Sequence, residues 1–155
     1  MMRELDIERL NVAIRGLLAS AGSGTKVAIE ARFPGGRMVG GKYSPSSDTI
    51  TLYVETIRAQ CALLFGSEDA ADEYALIVFA HELGHAQDGE LAELSARLDD
   101  PSLAPEERAR VALRIEENAW RYASAVVPEG RAGLYEAIVD RSLSAYREAV
   151  RPRSA

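Results

Sequence analysis

A single cysteine, Cys61, in 155 residues excludes an internal disulfide framework, and aromatic residues at 6% with a net charge of −6 exclude a basic, aromatic-lined groove. Nucleic acid is therefore not expected as a partner. The longest strongly apolar stretch, Ala75 to Ala80, is far too short to span a bilayer. The first ten residues, from Met1 to Leu10, carry Glu4, Asp6 and Glu8 where a secretory signal needs an uninterrupted apolar run. These shortages predict a cytoplasmic protein without a membrane segment. What is plentiful is apolar content, 47% of the chain, enough to bury a core in one domain over residues 1–155.

Apolar spacing over Glu4 to Ser20 (Leu5, Ile7, Leu10, Ala13, Ile14, Leu17, Leu18) predicts an amphipathic first helix, stopped by Gly22-Ser23-Gly24. Three short extended runs follow, Lys26 to Phe33, Arg37 to Tyr43 and Thr49 to Val54. They are separated by Pro34-Gly35-Gly36 and by Ser44-Pro45-Ser46-Ser47-Asp48, and they predict a small three-stranded antiparallel sheet. From Glu55 the chain reads as helical almost to its end. Breaks are expected near Gly66-Ser67, Asp88-Gly89, Asp99-Asp100-Pro101 and Pro128-Glu129-Gly130, with an amphipathic helix in the segment Arg131 to Ala155. The fold class is α+β: an N-terminal helix, a small sheet, then a helical half.

Histidine is nearly as scarce as cysteine, yet both histidines fall in one pentapeptide, His81-Glu82-Leu83-Gly84-His85. Chance puts two histidines four apart in roughly one case in a hundred, and a following glutamate lowers this to about one in a thousand. On a helix, positions i and i+4 lie only ~40° apart around the axis, so two imidazoles can share one ion. Glu82, ~100° further round, is poorly placed as a ligand but can reach a water on the ion, the position of a general base. The run Tyr74 to Ala80 is apolar around its whole circumference, which predicts a buried helix and histidines that require partners. Two imidazoles and an oxygen donor suit tetrahedral Zn²⁺.

A catalytic zinc site needs one more protein ligand. The metzincin spacing would place Gly and His where this chain has Asp88 and Leu91, and three ligands along one straight helix spread too far to enclose an ion, so Asp88 ends the helix or supports a histidine. Cys61, in Ala-Gln-Cys-Ala, lacks the Glu-Gly-Cys context of the peptide deformylases. The helix from Pro105 to Val127 decides the matter by angle. Val111, Ala112, Ile115, Ala119, Tyr122 and Val126 form one apolar stripe, and Glu116 falls inside it. Glu117 falls outside, beside Arg110, Arg114 and Arg121, where surface ion pairs account for it. A carboxylate aimed into an apolar face costs several kcal/mol unless paired, so Glu116 requires the metal or, failing that, an arginine.

His81-Glu82-Leu83-Gly84-His85 followed by Glu116-Glu117-Asn118-Ala119-Trp120 resembles the gluzincin pattern His-Glu-x-x-His…Glu-x-x-Ala-(Asp/Asn), and the chain is similar to the minigluzincin and ImmA/IrrE-type metallopeptidases. That resemblance implies a zincin-like domain with His81, His85 and Glu116 on zinc and Glu82 as the catalytic base. It implies a peptide or protein substrate, paired to the strand Thr49 to Val54 as the sheet edge over the active-site helix. Trp120 departs from the pattern, because indole can donate but not accept, so any acceptor orienting a histidine must come from a backbone carbonyl or from Asp88. No third histidine exists to stabilise the oxyanion, which leaves Tyr43, Tyr53, Tyr74, Tyr122, Tyr135, Tyr146 or an arginine. Two alternatives to a peptidase fit the same residues: a zinc-bound regulatory or interaction module with little or no turnover, and a metal-free helical scaffold.

Overall fold

The computed structural model describes residues 6–128, 130 and 133–151. The expected start of the first helix at Glu4, Glu129 of the last expected break, and the ends of the segment Arg131 to Ala155 lie outside these residues. The architecture is α+β in the expected order. Helix α1 (Ile7–Ala21) is followed by strands β1 (Lys26–Glu30), β2 (Gly41–Ser44) and β3 (Thr49–Tyr53), then by helices α2 (Val54–Phe65), α3 (Ala71–Ala86), α4 (Leu91–Leu98), α5 (Pro105–Val126) and α6 (Leu134–Val150).

Local chemistry sets the boundaries. The Asp6 carboxylate accepts from the Arg9 N–H at the start of α1, Gly22 and Gly66 end α1 and α2 in the left-handed region, and Pro105 opens α5 where its missing N–H costs nothing. Among the described residues, no helix is long and apolar enough to cross a membrane.

The sheet departs from the antiparallel expectation. Its order is β1-β3-β2, with β2 antiparallel to β3 but β1 parallel to it, Lys26 opposite Thr49 and Gly41 opposite Leu52. The reason is the segment 31–40, which steps sideways over one strand's width at one end of the sheet and leaves a slot that the β2–β3 hairpin fills. Two backbone bonds pin it there: Tyr53 N–H to the Gly40 carbonyl and Glu55 N–H to the Ala31 carbonyl. Asp48, with φ 48°, turns the hairpin and accepts from both Thr25 Oγ1 and Tyr43 Oη, tying the turn to the start of β1. β3 is therefore the central strand and not the edge, and the unpaired margin beside the histidines belongs to β2.

Helix α3 is the axis of the molecule. It packs against α1, α2, β2, β3, α5 and α6, and its whole circumference from Ala71 to Gly84 is largely buried, as the unbroken apolar run requires. Ile50 and Leu52 from β3, Ile57 and Cys61 from α2, Leu10 and Ile14 from α1, and Trp120 and Ala123 from α5 close around Phe79 and Leu83. A satellite cluster of Leu94, Val111 and Ile115 fastens α4 to α5.

Candidate metal centre

Two helices bring the site together at their point of closest approach. A Cβ on Gly84 would lie 2.5 Å from the Ala119 carbonyl oxygen and 2.8 Å from its Cα, so only glycine lets α3 touch the α5 backbone there. Gly84 stands between His81 and His85, and Ala119 stands one turn after Glu116. The contact therefore delivers the Glu116 carboxylate to both imidazoles, 3.1 Å from His81 Nε2 and 3.2 Å from His85 Nε2. Glu116 is the residue that faces inward, with a side chain 14% exposed, whereas Glu117 is exposed. The angular distinction between these neighbours holds, although the ion pairs expected of Glu117 do not form. Arg110 pairs with Glu107, and Arg114 pairs with Glu90.

A clamp outside the site fixes the rotation of α5. Asn118 Nδ2 donates to Asp88 Oδ2 (3.2 Å) and Glu90 Oε1 (2.9 Å), and Arg114 reaches the same Glu90 carboxylate at 2.8 Å. The Asp88 carboxylate also accepts from the Glu90 N–H at 2.9 Å and its own N–H donates to the His85 carbonyl at 3.2 Å, which makes it a turn residue just beyond α3; among the described residues its carboxylate is not bonded to an imidazole. Cys61 is fully buried on α2 and is not among the residues that converge on the site.

The acceptor for His81 is one that sequence reasoning missed: its Nδ1 lies 2.9 Å from Glu82 Oε2. With carboxylates at both ring nitrogens, His81 donates twice when no metal is bound. Burial disfavours that charge, but the Glu82 carboxylate and the hydrogen bonds to Glu116 and Glu82 outweigh it and raise the imidazole pKa to about 9. Burial likewise works against an ionised Glu116, yet the hydrogen bonds from His81 and His85 prevail and lower it to about 2. Trp120 has a role that its place in the motif does not announce. Its ring stacks on His81 at 4.3 Å between centroids, and its Nε1 donates to Ser142 Oγ at 3.0 Å, so the indole holds the imidazole plane by its face.

The donor set fits a tetrahedral divalent ion. His81, His85 and Glu116 each offer a ligand atom, all within 4.8 Å of one another. The two short contacts run to different oxygens, Oε1 to His81 Nε2 at 3.1 Å and Oε2 to His85 Nε2 at 3.2 Å, so the carboxylate bridges the two imidazoles. No arginine is bonded to Glu116 among the described residues. Among the described residues His85 Nδ1 is buried without a hydrogen-bond partner, and the ring is held by its Nε2 contact with Glu116 and by its edge contact with His81.

Two cavities meet at Gly41, His81 and Glu82. One of about 430 Å³ contains His85, Glu116, Tyr43 and Leu91. The other, of about 270 Å³, extends past Trp120 toward α6. Gly41 makes the junction possible, since a Cβ there would lie 2.7 Å from Val78 Cγ1 and 3.1 Å from Glu82 Cγ. Of the six tyrosines, Tyr43 donates to Asp48 and Tyr135 to the Trp120 carbonyl. Tyr146 on α6 feels the charges of Glu116 and Glu82, which join burial in raising its pKa. No family model, no curated protein and no solved structure matches the chain.

Proposed function

We propose that the chain is a zinc-dependent peptidase of the gluzincin type, cytoplasmic, acting on peptide or protein substrates. The observation that carries this reading is the convergence of His81, His85 and Glu116 on one point, beside Glu82 and along the unpaired margin of β2. Zn²⁺, when bound, supplies a Lewis acid that polarises a carbonyl and acidifies a water.

The chain's own residues do the rest. An extended substrate adds to the free edge of β2 by main-chain hydrogen bonds, which Gly41 brings against Glu82. Glu82 takes the proton of the attacking water and returns it to the leaving amine. Its Oε2 faces His81 Nδ1, which leaves Oε1 for that exchange. Tyr146 is the candidate donor to the negative charge developing on the carbonyl oxygen, as the tyrosine that senses both Glu116 and Glu82, although it lines neither cavity.

The same Glu82–His81 bond favours a second reading, a zinc-bound regulatory or interaction module with little turnover, because it ties the would-be base to a ligand ring. Zinc content measured together with cleavage of a mixed peptide library separates the two. Under the peptidase reading Glu82→Gln retains zinc and loses cleavage by more than about 100-fold, and Tyr146→Phe lowers kcat by about 100-fold at unchanged zinc content. A wild-type protein that holds zinc and cleaves nothing supports the module, and one that never retains zinc ends both readings.

A further inference from the structure

The cavity of about 270 Å³ on the α6 side of Glu82 has a chemical character of its own. Val78, Trp120 and Ile138 give it apolar walls, while Arg141, Tyr74 and Ser142 bring donors to it.

Arg141 makes no ion pair among the described residues, and the neighbouring acid, Asp140, pairs with Arg147. The Tyr74 side chain is almost wholly buried, yet its hydroxyl has no hydrogen-bond partner among the described residues, and it senses the Arg141 charge. Ser142 Oγ accepts from Trp120 Nε1 and so keeps its own proton available. The acid that lines this cavity, Glu82, is engaged by His81. A cation and two hydroxyl donors in that setting are complementary to an anion with several acceptor positions. The apolar walls suit the methylenes that carry such a group.

We propose that this cavity is a subsite for a substrate carboxylate, either an acidic side chain next to the scissile bond or the substrate's own C-terminus, held by Arg141 with Tyr74 and Ser142. The proposal rests on the peptidase reading for the word substrate, but the subsite itself is a matter of binding. It also makes cleavage selective, since the isosteric amide brings no charge and one acceptor oxygen in place of two, leaving Arg141 and the two hydroxyls incompletely paired.

The test uses a four-peptide set of one sequence, with Glu or Gln at the residue flanking the cleaved bond and with a free or an amidated C-terminus. Zinc-loaded protein gives kcat/KM for each peptide, and the Glu82→Gln protein gives Kd for the same peptides by fluorescence polarisation. Acid is expected over amide by roughly ten- to a hundredfold, read in KM and Kd rather than in kcat. The Glu/Gln pair identifies a side-chain carboxylate, and the acid/amide termini identify an α-carboxylate. Arg141→Glu abolishes or inverts the ratio, and Arg141→Lys restores part of it; both replace an exposed residue of α6. A ratio near one on both pairs, or a ratio that survives Arg141→Glu, overturns the proposal. If no peptide is cleaved, the peptidase reading fails and the Kd arm still decides: acid-selective binding that depends on Arg141 upholds the subsite, and unselective binding overturns it.

Discussion

Glu116 and Glu117 are adjacent carboxylates on one helix, and everything that separates them follows from ~100° of rotation. Glu116 is turned onto two imidazoles, and Glu117 is turned to solvent. Replacing a ligand removes a donor, while replacing an exposed carboxylate removes little more than a surface charge. Glu116→Gln should therefore weaken zinc binding by more than about 100-fold, beyond the loss typical of groups that only support a ligand. Glu117→Gln should change it by less than about twofold, as measured by competition with a chromogenic chelator. Equal effects would mean that Glu116 is not a ligand. At this scale the site was legible in the sequence wherever periodicity alone fixes direction, as it does for His81, His85 and Glu116. It was not legible where direction depends on a rotamer. The stacking of Trp120 on His81 and the turn of Glu82 onto His81 Nδ1 are tertiary facts with no local signature.

The strand order was missed for a related reason. Each strand of the sheet was visible as an extended run, but pairing of sequence neighbours is only a tendency, and nothing within the segment 31–40 announces that it steps over a strand. The helical half was more legible because its breaks carry Gly, Pro and Asp, whose backbone preferences act locally. Two glycines inside helices show how context reverses a propensity. Gly16 lies on the exposed face of α1, where an added Cβ would meet nothing within 4 Å, whereas Gly84 meets the Ala119 backbone. Gly16→Ala should stabilise the protein by up to about 1 kcal/mol. Gly84→Ala should destabilise it by about 1–3 kcal/mol despite the same gain in propensity, and should lower zinc affinity by separating α3 from α5. Urea unfolding of both variants checks the opposite signs. A stabilised Gly84→Ala protein with full zinc affinity would show that the helix contact does not set the site.

For the whole molecule, the His81–Glu116 pair couples folding to protons and, on the proposed reading, to a metal ion. His81 has its pKa raised from 6.5 to about 9 on folding, so its contribution to stability is complete below pH 6.5 and is lost as the pH rises through 9. Glu116 has its pKa lowered from 4.5 to about 2, so its contribution is present above pH 4.5 and is lost as the pH falls through 2. Metal-free protein should accordingly melt highest between about pH 4.5 and 6.5, with Tm declining on both sides, and Glu116→Gln should flatten the profile. Zinc on the three proposed ligands should reverse the alkaline limb. A ligand imidazole must give up the Nε2 proton that His81 holds up to about pH 9, so binding should release about one proton, and affinity should rise by about tenfold per pH unit between roughly pH 7 and 9. Because an ion that binds only the folded state stabilises it by mass action, the Tm gained at fixed free zinc should widen over the same range. Calorimetric titration in buffers of different ionisation enthalpy counts the protons directly. A proton count of zero at about pH 7.5, with an affinity indifferent to pH, would place the ion somewhere other than on His81.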